Sequence, residues 1–322
     1  MYDIPTLYVV VPCYNEEEVI NESISILVSK LEEMISDKQI KGNSKILFVN
    51  DGSKDNTRRL IMEKCLKDNR LAIINFSRNF GHQSAILAGM LVAREYADAV
   101  ITIDADLQQD INAMPEFIEK YRNGCDVVYG VRNDRNTDSF FKKSTASAFY
   151  GFMRFLGCDV KSNSADYRLL SKKALNALSE YNESNLFLRG LIPLMGFNSD
   201  VVYFDVKDRT AGSSKYTFKK MFTLATDGIT SLSIKPIRFI TVIGFIMCLF
   251  SIAMIIFSLI VYFTEGAVEG YSTTVISIWL VGGVVMLSQG IVGEYIGKMY
   301  FETKKRPRYI IESMVLNSRN GD

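Results

Sequence analysis

The chain changes character near Ile234, and that break constrains most what it can fold into. Before it, charged residues are scattered among short apolar runs. After it come two long apolar stretches: 237–263, whose one charge is Arg238, and 273–292, which has none. Either is long enough to cross a hydrocarbon core of ~30 Å as a helix. Two buried helices of a soluble domain are the competing reading, but helices apolar all round for that length are uncommon there. Lys215, Lys219, Lys220, Lys235 and Arg238 precede or open the first stretch, and Lys298, Lys304, Lys305, Arg306 and Arg308 follow the second. The loop between them, 264–272, carries Glu265 and Glu269 and no basic residue. The positive-inside rule therefore predicts a multi-pass cell-membrane protein with both termini and the polar part cytoplasmic and the short loop outside. Residues 1–5 show no signal-peptide pattern. Segment 216–233 mixes Phe218, Met221, Phe222, Leu224, Ala225 and Ile229 with Lys219, Lys220 and Asp227. That suits a helix lying in the membrane interface, the alternative being a linker helix packed on the polar domain.

In the polar part, strand-like runs at 7–11, 45–49, 71–76, 99–103 and 126–130 alternate with helical patterns such as Val19, Ile20, Ile24, Leu27, Val28 and Leu31. This predicts an α/β fold with a doubly wound, mainly parallel sheet. Polar residues gather where the strands end: Pro12-Cys13-Tyr14-Asn15-Glu16, Asn50-Asp51-Gly52-Ser53, Ser77-Arg78-Asn79-Phe80-Gly81-His82, Asp104-Ala105-Asp106-Leu107-Gln108 and Val131-Arg132. Any one of them could be only a turn or a helix cap. Five on the edge where a doubly wound sheet binds ligands indicate a crevice. Asp104 and Asp106 are hard oxygen ligands, which suit Mg²⁺ or Mn²⁺ carrying a diphosphate.

Several classes are disfavoured. There is no Gly-x-Gly-x-x-Gly or Walker loop, so a dehydrogenase or an NTPase does not fit. A formal net charge of +1 gives no pull toward nucleic acid. The five cysteines (Cys13, Cys65, Cys125, Cys158, Cys248) stand singly, which fits a reducing compartment rather than a zinc or disulfide framework. His82, the single histidine, cannot build a histidine-rich metal site and reads as a cap or packing residue more readily than as a ligand contact.

These blocks, in this order, resemble the GT-A glycosyltransferases of family 2. They are most similar to polyprenyl-phosphate glycosyltransferases related to dolichol-phosphate mannose synthase. Further matches are Asp166-Tyr167-Arg168-Leu169 and the set Arg209, Gly212, Ser214, Lys215 and Tyr216. Gly293-Glu294-Tyr295 followed by Lys305-Arg306-Pro307 resembles the tail of two-span bacterial members, the bactoprenol glucosyltransferases among them. The motif Gln-x-x-Arg-Trp of processive polysaccharide synthases is absent, since Trp279, the one tryptophan, lies in the second apolar stretch.

The resemblance implies a membrane-bound, inverting hexosyltransferase of the bacterial cell envelope. It would move a sugar from a nucleotide sugar to polyprenyl (undecaprenyl) phosphate, with glucose from UDP-glucose as the first choice. GDP-mannose as donor and a catalytically inactive nucleotide-sugar-binding scaffold are the alternatives. It further implies four segments: a cytoplasmic GT-A domain, 1–208; a loop and interfacial helix, 209–235; two transmembrane helices within 236–297, at about 237–263 and 273–293; and a basic cytoplasmic tail, 298–322. Pro12, Tyr14, Glu16 and Asp51 would line the nucleotide pocket, and Arg209 would close over the diphosphate. Asp104, Ala105, Asp106 and Gln108 would hold the metal and sugar-diphosphate, with Gln108 as a mere surface amide left open. Arg132, Lys143 and Ser147 would bind the lipid phosphate, with an amphipathic surface helix as the other reading of the Lys143 segment. Asp166 would join Asp106 in catalysis as a base, or else simply pair with Arg168. No nucleic acid is implied, a homo-oligomer is left open, and the product would pass to a separate flippase and a downstream glycosyltransferase.

Overall fold

The computed structural model describes residues 3–133, 164–181, 187–205 and 270–316, with scattered positions between 240 and 253. Its centre is an eight-stranded sheet. In chain order the strands are β1 (Leu7–Cys13), β2 (Lys45–Asn50), β3 (Leu71–Phe76), β4 (Ala99–Thr102), β5 (Val127–Arg132), β6 (Ser164–Ser171), β7 (Ser199–Phe204) and β8 (Ile311–Val315). Their spatial order is β7-β5-β6-β4-β1-β2-β3-β8.

The five strands expected from sequence are present, with ends displaced by at most two residues. β3, β2, β1 and β4 run parallel, as expected of a doubly wound sheet. The remainder makes the sheet mixed. β6 enters antiparallel between β4 and β5, β7 lies parallel to β5, and β8 closes the other edge antiparallel to β3. β6 was legible only as a motif because Asp166 and Arg168 interrupt the apolar run by which a buried strand is recognised.

Side-chain alternation builds the core. Val9 and Val11 of β1 pack on one face, under α1 (Ile20–Ser36), α2 (Thr57–Cys65) and α4 (Met114–Arg122). Tyr8 and Val10 pack on the other, under α3 (His82–Ala93), α5 (Lys172–Glu180) and α6 (Leu188–Leu194). This period of two leaves β1 buried on both sides, which is why it reads as continuously apolar. The loops that follow β1, β2 and β4 therefore share one edge.

The chain divides into two compact units: Met1–Tyr150, Val160–Thr217 and Arg306–Asp322 form the first, and Gly151–Asp159 and Phe218–Lys305 the second. The tail, expected only as a basic segment, thus supplies β8 to the first unit's sheet. In the second unit, α7 (Tyr271–Thr303) is a helix of 33 residues that contains the predicted span 273–293. Ile278, Val281, Val285, Ile296 and Met299 are exposed along it. Among the described residues no helix is both long and apolar enough to cross a membrane. Several side chains of α7, nearly all of 237–263 and the whole of 216–233 lie outside the described residues.

Candidate active site

A cavity of about 470 Å³ opens at the C-terminal ends of β1, β2 and β4. Pro12, Tyr14, Glu16, Asp51, Asp104, Ala105, Asp106, Gln108, Arg132 and Asp166 all line it, together with Cys13, Asn79, Gly81, His82, Ala85 and Arg189. Ten residues singled out from sequence are thereby brought to one place. Lys143, Ser147 and Arg209 lie outside the described residues.

One wall is built on the turn after β2. Asp51 is 3% exposed, and its carboxylate accepts the backbone N–H groups of Phe80 (2.7 Å) and Gly81 (2.9 Å). The side chain expected to face a nucleotide base thus also fixes the loop that follows β3. Gly52 allows this approach. Its φ is +64°, and a Cβ there would stand 2.3 Å from the Arg78 carbonyl carbon. The Arg78 guanidinium lies 4.0 Å from the centre of the Phe80 ring. Burial pushes the Asp51 carboxyl up despite the two amides that favour its ionised form. The loop after β1 knits to the same turn: the Asn15 N–H donates to Ser53 Oγ (3.0 Å), and the Glu16 N–H to Thr57 Oγ1 (2.9 Å). Cys13 is chemically quiet there, because burial raises its thiol well above its ordinary range.

The opposite wall gathers charge. β6 carries Asp166, whose carboxylate takes Arg168 Nη2 and both Nε (3.2 Å) and Nη2 (3.0 Å) of Arg189 from α6. Arg168 is 1% exposed, so its charge has no access to water. His82, at the start of α3, places Nε2 3.5 Å from Asp104 Oδ1 and 3.6 Å from Asp166 Oδ2. Burial by itself would raise Asp166, but His82, Arg189 and Arg168 outweigh it and hold the carboxyl well below the usual range. Burial likewise opposes the charged form of His82, and the two carboxylates outweigh it, raising the imidazole. Asp104 moves up, first through burial and then through its acidic neighbours, against His82 and Gln109.

The Asp104–Gln108 turn is held from behind. Buried Gln109 donates Nε2 to Asp104 Oδ2 and accepts the Asp104 N–H at Oε1 (3.3 Å). Leu107 adopts φ +46°, a left-handed conformation that a leucine takes at some cost, and the turn presents exposed Asp106 beside Asp104. The Gln108 N–H donates to Asp106 Oδ1 (3.3 Å). Among the described residues no three His, Cys, Asp or Glu side chains form a metal cage. A cation here would complete its shell with ligand or water oxygens, as Mg²⁺ ordinarily does. Two carboxylates with a neighbouring amide have the oxygen chemistry for that.

Sequence reasoning missed Arg189 and Gln109 and read His82 as a cap or packing residue. A charge within the apolar run Leu188-Arg189-Gly190-Leu191-Ile192 was the available signal for Arg189. For Gln109 there was none, since only the fold turns it inward.

Residues 8–179 match the family described as Glycosyl transferase family 2. An uncharacterized glycosyltransferase of Bacillus subtilis, YkoT, is 45% identical over 98% of this chain and 94% of its own length. The bactoprenol glucosyl transferase of Shigella phage SfX is 38% identical over 94% and 98% respectively. A prophage bactoprenol glucosyl transferase homolog of Escherichia coli is 38% identical over 94% and 97%.

Proposed function

Since the chain belongs to glycosyl transferase family 2 and is a glycosyltransferase, we propose that it moves glucose from UDP-glucose to undecaprenyl phosphate at a membrane, inverting the anomeric carbon. The observation that carries this reading is a cavity in which Asp104 and Asp106 stand beside Arg132, Arg189 and His82. Acidic and basic groups converging on one edge suit a ligand that brings both a metal and phosphates.

In this reading the first wall takes the nucleoside, with Tyr14 at the mouth and the Asp51 turn behind it. Asp104 and Asp106, with Gln108, would hold Mg²⁺ or Mn²⁺, and such an ion would neutralise the diphosphate leaving group. Arg209 would add a positive charge at the same diphosphate. Arg132, with Lys143 and Ser147, would receive the acceptor phosphate. That phosphate has a second pKa of ~6, so at neutral pH most of it is already a dianion and needs little help from a base. Asp166 is poorly matched to proton removal, because a base works best with a pKa near the working pH. Its role is to anchor Arg189 and His82 where charge develops, a preorganised electrostatic wall.

The return of the tail to the sheet supports the two-span reading. A chain that leaves the first unit after β7 and comes back to it as β8 can cross a bilayer only an even number of times. Segments 237–263 and 273–293 supply two crossings. With the basic flanks inside, the product forms on the cytoplasmic leaflet, and a flippase would be needed before any use outside.

The test is transfer by the purified full-length chain in detergent, offered UDP-glucose, UDP-galactose and GDP-mannose with undecaprenyl phosphate. Glucose should be the sugar transferred, EDTA should abolish transfer, and Mg²⁺ or Mn²⁺ should restore it. Full activity in chelator would remove the metal reading, and transfer confined to another donor would remove the sugar assignment.

A further inference from the structure

We propose that the C-terminal segment is a strap that holds the donor-side wall of the cavity, with Tyr309 as its positioning residue. β8 pairs with β3 through Ile73–Val315, Ile74–Met314 and Asn75–Ser313, and the register shifts at Phe76. Backbone contact continues past that shift, where the Ser77 N–H donates to the Ile310 carbonyl (3.1 Å). The strap thus reaches the first residue of the loop that forms the wall.

A row of rings carries the contact onward. Tyr309 stacks on Phe76 with ring centres 5.3 Å apart and planes 7° apart. Phe76 meets Phe80 edge-on at 5.7 Å. The Phe80 N–H is one of the two that hold Asp51. Parallel-stacked and edge-on rings are favourable and directional, so the position of one constrains the next. The strap is fastened apart from this row by the ion pair of Arg58 with Glu312 (2.9 Å) and by Lys45 Nζ donating to the Leu316 carbonyl (2.9 Å).

The plainer role for β8 is to cover the open edge of β3. Edge cover needs the backbone of 311–315 alone. Tyr309 lies outside that pairing, and its partly buried ring packs on Phe76. A substitution at Tyr309 therefore separates the two roles. That this wall receives the nucleotide rests on the function proposed above; that the strap orders the wall does not.

The experiment is amide hydrogen exchange on the full-length, ligand-free chain in detergent, with UDP affinity measured alongside. In Tyr309→Ala, the Phe80 and Gly81 amides should exchange about tenfold faster or more, as a locally opened segment does, while amides 9–11 of β1 keep their protection. UDP affinity should fall about fivefold, roughly the loss expected when one aromatic stack is removed. Tyr309→Phe keeps the ring and should restore both. Wild-type exchange at Phe80 and Gly81 in Tyr309→Ala would overturn the strap, as would a parallel loss of protection at 9–11 or a Tyr309→Phe variant as defective as Tyr309→Ala. If exchange rises locally but no form of the protein, wild type included, binds UDP, the strap stands and the donor assignment falls.

Discussion

Asp51 and Asp166 are carboxylates of similar burial on opposite walls of one cavity, and they are held by opposite means. Asp51 is satisfied by two backbone amides, carries no direct ion pair among the described residues, and is pushed up by burial. Asp166 is clasped by two guanidiniums with an imidazole nearby, and is driven well down. The first arrangement converts a charge into loop geometry. The second converts a buried charge into an oriented cluster of cations. A ligand with an uncharged base at one end and phosphates at the other would meet the matching wall at each end.

The largest effect that could break this contrast is expected from Asp166→Ala. It removes the carboxylate that pairs with the fully buried Arg168, and removing one member of a buried pair costs about 3–5 kcal/mol. Urea unfolding should report that loss, together with lost transferase activity. Asp51→Ala leaves two amides unmet and should cost less, about 1–3 kcal/mol. Equal losses would mean that the walls do not differ in kind.

Gly52→Ala tests the amide-held wall without touching a charge. It combines a left-handed residue with a Cβ 2.3 Å from backbone, so a cost of roughly 2–4 kcal/mol is expected. Nucleotide affinity should fall with it, because the 78–81 loop must retreat. A variant of wild-type stability that still binds UDP would show that the loop moves freely against the turn.

The smallest effect is the sharpest, since its sign differs between the walls. A carboxyl lowered in the folded state, as in Asp166, stabilises the fold fully above about pH 4, the ordinary carboxylate range. That contribution is lost as pH falls toward the folded value, because the unfolded chain takes up its proton first. A carboxyl raised in the folded state, as in Asp51, binds its proton first in the fold, so its contribution grows as pH falls toward the ordinary range. Measured by urea unfolding from pH 7 down to about 3.5, the stability gap between wild type and Asp166→Asn should shrink on acidification. The gap to Asp51→Asn should widen. The same sign for both would refute the contrast.

Much of the site was legible because its residues sit in short blocks directly after apolar strands. The alternation of β1, β2, β3 and β4 with helices places those blocks on one edge by topology, and nine residues read that way, Arg132 after β5 among them, line the cavity, while Asp166 came from the resemblance alone. Arg189 was not legible, because its partner Asp166 lies 23 positions away and the two meet only when β6 and α6 pack together. Gln109 was passed over for Gln108, since adjacent polar residues in an irregular turn carry no period that says which one points inward.

The first five strands, the edge on which ligand groups collect, the paired carboxylates and the long apolar stretches follow from local composition and period, so the sequence determined them alone. Long-range pairing decided the rest. β6 inserted one antiparallel strand between β4 and β5, which run in the same direction, and β8 returned from beyond the apolar stretches to close an edge left open by the first hundred residues. The state of each ionisable group was likewise a matter of tertiary structure. Asp51 and Asp166 are the same residue type, and only the burial and partners supplied by distant segments drive one up and the other down.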